Sequence, residues 1–285
     1  MLPRLIATDL DGTLLDGEKQ LTPRTVAAVR AVVTAGIEFV LVTARPPRTV
    51  AHLAEQLGGR IAALCGNGTM LAEFDAAADL SDGGHGTAPD DAVRETGALT
   101  FIRSFEPTVA IAIVDQLRPS FPEAGFAMET GLEVYFETGF GIGSVGDGRR
   151  VLTDNLTGIA PQMPSIVKVL ARSAVRGEDE MVSVANEILT VDAEVSHSGG
   201  RGLLEIAPLG ASKASALEWL CARRGIAASE VAAFGDMPND LPMLRWAGLG
   251  YAMANAHVEV LATADQVVGH HMEDGVALAL EALLG

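Results

Sequence analysis

An α/β fold, an open parallel sheet interrupted by a second α+β domain, is predicted by three features of the 285-residue chain. Short apolar runs alternate with helical segments over residues 4–64. The texture then changes over residues 92–207, and the alternation resumes after Ala207-Pro-Leu-Gly210. Strand, crossover and parallel strand in one sheet must be right-handed, so the first three strands already imply a Rossmann-like core.

Residues 4–8 form the first apolar run and stop at Asp9-Leu-Asp-Gly12. Thr22-Pro23 supplies a helix N-cap followed by proline at the first helical position, and Gly36 closes the helix. Ile37–Val42 is a second buried strand ending at Thr43, residues 47–57 a helix closed by Gly58-Gly59, and Ile61–Leu64 a third strand ending in Gly66-Asn67-Gly68. The turn-rich stretch at 81–90 marks an exposed connection. Beyond it, helices are expected near 107–118 and 178–189. Strands are expected near 125–136, 166–172, 191–197 and 202–206, with a hairpin turn at 198–202 between the last two. The core rhythm returns with a helix from Ser212 to Arg224, a strand at Val231–Phe234, a helix from Asn239, a strand at Leu249–Ala252 and a final helix from Asp274. The expected division is therefore a core of residues 1–83 and 208–285 with an inserted domain at 84–207.

A net charge of −17 disfavours polyanions such as nucleic acid and anionic membranes, while leaving room for a small anion held by local contacts. No apolar stretch approaches the length of a membrane span, and the first strand starts too early to leave room for a signal peptide. Two cysteines without metal-ligand spacing, Cys65 and Cys221, fit a reducing cytoplasm. A monomer is the expected state.

The chemistry is expected where the core strands end. Asp9 and Asp11 lie beyond the C-terminal end of strand one, the ligand crevice of an open α/β sheet. Two acids side by side are costly to bury, so a metal, a lysine or both must accompany them. Lys213 is one of three lysines against seventeen arginines and opens a helix. Phe234-Gly-Asp-Met-Pro-Asn-Asp240 adds Asp236, Asn239 and Asp240 after the fourth core strand. Taken singly, these residues have plainer readings. Asp9 and Asp11 could cap a turn or form a calcium loop, although Thr13 and Leu14 do not suit such a loop. Thr43 could satisfy backbone, Lys213 could be a solvated helix lysine, and Asp236, Asn239 and Asp240 could be N-cap residues. Arg45 suits a substrate contact and a structural salt bridge equally. His85, His197, His257, His270 and His271 read as surface histidines.

Together, Asp9-Leu-Asp-Gly-Thr-Leu-Leu15, Thr43, Lys213 and Gly235-Asp-Met-Pro-Asn-Asp240 resemble the haloacid dehalogenase-like hydrolases. They match the Cof-type branch, which carries a large α+β cap between its second and third motifs. Asn67-Gly68 and Glu273-Asp-Gly-Val276 also resemble that branch. The resemblance implies a magnesium-dependent phosphatase acting on small phosphorylated metabolites, sugar phosphates foremost. Asp9 would be the nucleophile and Asp11 the general acid and base, its pKa raised by anionic neighbours. The Asp9 carboxylate, the Asp11 main-chain carbonyl and Asp236 would hold Mg2+, with Asp240 behind them. Leu10, Gly12, Thr43, Lys213 and Asn239 would bind phosphate, and Arg45, Asn67 and Gly68 would contact substrate. Other readings of the same motifs are a phosphomutase of the superfamily and a non-catalytic metabolite-binding protein.

Overall fold

A computed structural model describes residues 2–75, 98–141, 149–197 and 202–285. The chain divides into two compact units, Met1–Thr100 with Ser212–Gly285 and Phe101–Ala211. The expected seam at residues 83 and 84 and the turn-rich stretch at 81–90 lie outside the described residues.

In the first unit, β1 (Leu5–Thr8) pairs in parallel with β2 (Glu38–Val42) on one side and β12 (Val231–Gly235) on the other. β3 (Arg60–Cys65) continues the sheet beyond β2, while β13 (Leu249–Met253) and β14 (Gln266–Val268) continue it beyond β12. The chain thus leaves β1 in one direction and returns on its other side. That places a topological switch point beside β1, where the loops after β1 and β12 diverge and open a crevice. The central strands β1 and β12 carry no charged residue, as expected where a parallel sheet is covered on both faces. Leu5, Ile6, Ala7 and Thr8 are all fully buried.

The helices follow their sequence signals closely. α1 (Pro23–Thr34) is capped by Thr22, whose Oγ1 accepts the Thr25 amide at 3.1 Å. The same hydroxyl lies 2.5 Å from Asp274 Oδ1, tying the start of α1 to the turn before the last helix. The segment expected as one helix at 47–57 is a 3-10 turn at Pro47–Thr49 followed by α2 (Ala51–Leu57).

Three expectations need correction. Within the core segment expected to run to residue 83, an unexpected strand, β4 (Met70–Asp75), folds back antiparallel onto β3, and β5 (Ala98–Phe101), from the segment expected in the inserted domain, lies next in the sheet. Met70-Leu-Ala-Glu-Phe74 alternates weakly, so its strand character is set by pairing with β3 rather than by its own pattern. The stretch at 125–136 is two strands, β6 (Gly125–Glu129) and β7 (Val134–Phe136), turned through Gly131 at φ 88°. The segment after β13 holds a further short helix as well as β14.

The second unit is a six-stranded mixed sheet in the order β10-β11-β9-β6-β7-β8. Here β8 is Arg150–Leu152, β9 Lys168–Arg172, β10 Ala193–Ser196 and β11 Leu203–Pro208. Most of the hairpin turn expected at 198–202 lies outside the described residues, but β10 and β11 do pair antiparallel. Helices α3 (Pro107–Leu117), α4 (Leu156–Ile159) and α5 (Glu178–Ile188) pack with one face of the sheet around Phe121, Phe126, Met128 and Ile206. On the other face, Lys168 and Glu205 form a buried ion pair between β9 and β11.

Thr22→Ala removes both a cap and the tie to Asp274. It should cost about 1–2 kcal/mol, read as a lower urea midpoint at unchanged m.

Candidate active site

The site begins with β1, whose last hydrogen bond runs from the Asp9 amide to the Phe234 carbonyl on β12 at 3.0 Å. This bond fixes Asp9 in register with the loop that carries Asp236. After Asp9 the chain makes a kinked, helix-like turn over Leu10–Leu14, closed by the Leu15 amide on the Leu10 carbonyl at 2.9 Å. Gly12 is indispensable to that turn. It sits at φ 82°, and a Cβ there would lie 2.4 Å from Asp236 Oδ2. The loop after β1 is therefore packed directly onto the Asp236 carboxylate.

Lys213 is the first residue of α6 (Lys213–Arg224), behind the Ser212 cap, where the helix dipole disfavours a positive charge. Two acids offset this. Its Nζ lies 2.6 Å from Asp9 Oδ1 and 2.6 Å from Asp240 Oδ1. Lys213 and Asp240 are essentially inaccessible, with side-chain exposures of 3% and 0%. Asp240 Oδ2 accepts the amides of Asp236 and Met237 at 3.0 Å each, so this carboxylate shapes the loop after β12 and anchors the lysine. It belongs to the 3-10 turn Pro238–Asp240 that precedes α7 (Leu241–Trp246). Asp236 receives the Thr13 hydroxyl at 2.9 Å.

Asp9, Asp236 and Asp240 each offer a carboxylate oxygen, and these oxygens lie within 4.8 Å of one another. Three buried carboxylates face the Lys213 ammonium, and the cost shows in the protonation of Asp9 and Asp236. Burial pushes Asp9 up to about 7 against the pull of Lys213, with Asp240 and Asp236 adding to the rise. Asp236 is pushed up to about 6 by burial and by Asp240, opposed by the Thr13 hydrogen bond, Lys213 and His271. Lys213 is raised as well, which for an ammonium favours the charged form. Burial would lower it, but the charges and hydrogen bonds of Asp240 and Asp9 prevail and raise it. An all-oxygen set of crowded, under-neutralised carboxylates fits a hard divalent cation.

Asp11 differs from expectation. Arg45 grips it with two parallel hydrogen bonds, Nε to Oδ2 at 2.7 Å and Nη2 to Oδ1 at 2.6 Å, and Lys19 stands 3.8 Å away. Burial alone would raise this carboxyl, but the hydrogen bonds and charge of Arg45, with Lys19 and Lys213, outweigh it and hold it below the ordinary carboxylate range. The reason is direction: the side chain turns from the acidic cluster toward cations. Of the two readings of Arg45, the geometry realises the salt bridge.

Thr43 is buried, and its hydroxyl accepts the Arg45 amide at 3.1 Å. Asn67 adopts a left-handed φ of 57° and donates its amide to the Thr43 carbonyl at 2.9 Å, so the loops after β2 and β3 are stitched together. Its side-chain Oδ1 is buried with no partner among the described residues. Gly68 lies against the carbonyl of Ser212, where a Cβ would be 2.2 Å away, and so seats that loop under the start of α6. Leu10 is buried in the turn, while Asn239 is half-buried in the 3-10 turn and makes none of the cluster's hydrogen bonds among the described residues.

Three neighbours escaped sequence reasoning. Thr13 lies within the first motif but was given no role. Asn255 and His271 carry no local signal beyond the turn habit of asparagine. Asn255 Nδ2 donates to the Gly12 carbonyl at 2.8 Å, and its Oδ1 accepts the His271 amide at 3.0 Å. The His271 ring Nδ1 is 2.8 Å from the Leu15 carbonyl, so this histidine is a half-buried bracing group rather than a surface one. His85 lies outside the described residues.

Residues 6–81 and 104–280 match the sequence profile of the haloacid dehalogenase-like hydrolases, and the chain belongs to that family. Within it the chain is a phosphatase of the Cof-type branch, with the second, mixed sheet as its inserted cap. A pyridoxal phosphate phosphatase of Escherichia coli is 28% identical, over 97% of both chains. A 5-amino-6-(5-phospho-D-ribitylamino)uracil phosphatase of Bacillus subtilis is 27% identical, over 97% of this chain and 94% of its own. The crystal structure of a haloacid dehalogenase-like hydrolase from Bacteroides thetaiotaomicron superposes with a TM-score of 0.75 at 25% identity, over 99% of each chain.

A carboxyl raised in the folded state binds its proton more tightly there, so its stabilising contribution is present at low pH and is lost as pH rises toward the folded value. With Asp9 at about 7 and Asp236 at about 6, against 3.8 ordinarily, the metal-free protein loses stability as pH climbs through that interval. Lys213, raised, stays charged throughout. Thermal melts in chelator should give a higher Tm at about pH 5.5 than at about pH 7.5, and Asp9→Asn should shrink the difference.

Proposed function

We propose that this phosphatase hydrolyses monoesters of primary alcohols on small polar metabolites, by way of a phosphoryl group carried on Asp9 and with Mg2+ as its cation. The observation that carries the reading is the Lys213 ammonium, buried between Asp9 and Asp240 with Asp236 beside them. Such an arrangement holds a carboxylate oxygen in a fixed direction at the crevice, as a nucleophile requires. The two named relatives act on a pyridoxal phosphate and on a phosphoribitylamino uracil. Both esters join phosphate to a CH2–O group, the linkage of many sugar phosphates, and this shared chemistry supports the substrate class.

In the first displacement an Asp9 oxygen bonds to phosphorus as the ester P–O bond breaks, and the departing oxygen takes a proton from Asp11, which is ionised while Arg45 holds it and must first take up that proton from solvent. In the second, a water oxygen bonds to the same phosphorus and gives its proton to Asp11, freeing inorganic phosphate and Asp9. Asp11 must exchange its Arg45 contacts for the leaving oxygen in the first step, because the guanidinium occupies both carboxylate oxygens. Lys213 keeps Asp9 oriented and offsets charge gathering at the transferred group. The Thr43 hydroxyl, accepting from the Arg45 amide, retains its proton for a phosphoryl oxygen. Backbone amides of the Leu10–Gly12 turn are further donors. Asp9, Asp236 and the Asp11 carbonyl would hold Mg2+, with Asp240 behind; the ion supplies positive charge against the phosphoryl oxygens.

Release of phosphate from pyridoxal phosphate, ribitol 5-phosphate and hexose 6-phosphates tests the substrate class. Phosphate without accumulation of an isomer is the expected result, and inertness toward all three would defeat it. Asp9→Asn should fold and lose at least about 10⁴-fold in turnover, and retained turnover removes Asp9 as nucleophile. Asp11→Asn should slow the first displacement, read as single-turnover release of the alcohol, by about 10²–10⁴-fold for alkyl monoesters and far less for p-nitrophenyl phosphate, whose leaving group needs no proton, while phosphate release slows equally for both. Equal losses in the first displacement remove Asp11 as the acid.

A further inference from the structure

We infer that Asn255 is a positioning residue for the metal site, setting the distance between the nucleophile loop and Asp236. The inference rests on the reading that Asp9 and Asp236 share a divalent cation. Asn255 follows β13, which lies beyond β12 from β1 in the sheet, and reaches back to the loop after β1. Its amide spans two chain segments: Nδ2 to the Gly12 carbonyl at 2.8 Å, and Oδ1 from the His271 amide at 3.0 Å. Both halves of the side chain are thereby committed, and its orientation is fixed by hydrogen bonding.

The turn bearing His271 is itself anchored. The His271 ring meets the Leu15 carbonyl at 2.8 Å, and Asp274 takes the Thr22 hydroxyl at 2.5 Å. The loop from Asp9 to Leu15 is thus held at Gly12 by Asn255, at Leu15 by His271, and at Thr13 by Asp236 itself. The Asn255 bond holds Gly12, where a Cβ would lie 2.4 Å from Asp236 Oδ2, directly beside Thr13, whose hydroxyl binds that carboxylate. It also grips the peptide next to the Asp11 carbonyl. Loss of that bond lets Gly12 drift, and the gap between loop and carboxylate drifts with it. Metal sites tolerate little of this, since partners that orient ligands are typically worth about 10–100-fold in affinity or activity.

Asn255→Ala and Asn255→Asp test the inference, with Mg2+ alone as probe. Mg2+-dependent thermal stabilisation of the substrate-free protein gives its half-saturating concentration, and steady-state kinetics separate kcat from KM. The half-saturating Mg2+ concentration should rise about tenfold in both variants and kcat should fall by a similar factor, with substrate KM at saturating Mg2+ near the wild-type value. The aspartate variant matters because it keeps the acceptor for the His271 amide and loses the donor to Gly12. Added negative charge by itself would tighten Mg2+ binding, whereas lost positioning weakens it. The aspartate side chain is also isosteric, so it decides the matter if the alanine variant does not fold. Unchanged or tighter Mg2+ binding in a folded variant overturns the inference. Wild-type protein indifferent to Mg2+ would instead overturn the parent reading.

Discussion

One buried ammonium holds the catalytic end of the core together. Lys213 bonds two carboxylates, one from the strand at the start of the chain and one from the turn after β12. Removing a single member of a buried charged group leaves the others uncompensated, which typically costs about 3–5 kcal/mol, so the three behave as a unit. Their cost is not fully offset within the protein. Asp9 and Asp236 still sit above the ordinary carboxylate range, and the cluster carries more negative charge than Lys213 neutralises. The apoprotein therefore stores an electrostatic demand that a dication satisfies. Affinity for the ion and the fold's own balance of charge are the same quantity seen from two sides.

Much of this was legible in the sequence because strand ends and helix starts leave strong marks. Thr22-Pro23 and Ser212-Lys213 announced their helices, and the apolar runs at 4–8, 37–42 and 231–234 read as buried parallel strands, within a residue of the observed bounds at each end. Asp9, Lys213, Asp236 and Asp240 were visible because polar groups ending such strands have one destination. The remainder depended on tertiary partners. β4 is a strand because β3 is there to pair with it, and β6 and β7 separate at the Glu129-Thr-Gly-Leu-Glu133 turn, which a single strand expected over 125–136 passed over. Asn255 and His271 act through long-range bonds to backbone carbonyls, a role that no residue type or spacing declares.

Asp11 shows the limit of reasoning from charge counts. Its sequence neighbours are acidic, which suggested a carboxyl driven upward. The fold rotates that side chain out of the acidic cluster and delivers Arg45, brought by the loop after β2, onto both of its oxygens. Two carboxyls two residues apart thus stand in opposite electrostatic settings, one raised by burial and the other lowered by a guanidinium. In the metal-free protein this divergence is opposite to what the proposed roles need, since the nucleophile must be ionised and the donor protonated. Asp9 would therefore have to be lowered by a bound cation, and Asp11 would have to leave Arg45.

The placement of β1 also bears on how the chain is made. Its two neighbours, β2 and β12, come from opposite ends of the polypeptide, and the Lys213–Asp9 contact closes across 204 positions. While the ribosome is still making the cap, β1 has one edge unpaired and an acid with no cation to meet it. An open parallel edge of that kind invites pairing with other chains, so the nascent protein is most prone to misassociate in this interval. The long insertion between the halves prolongs that exposure.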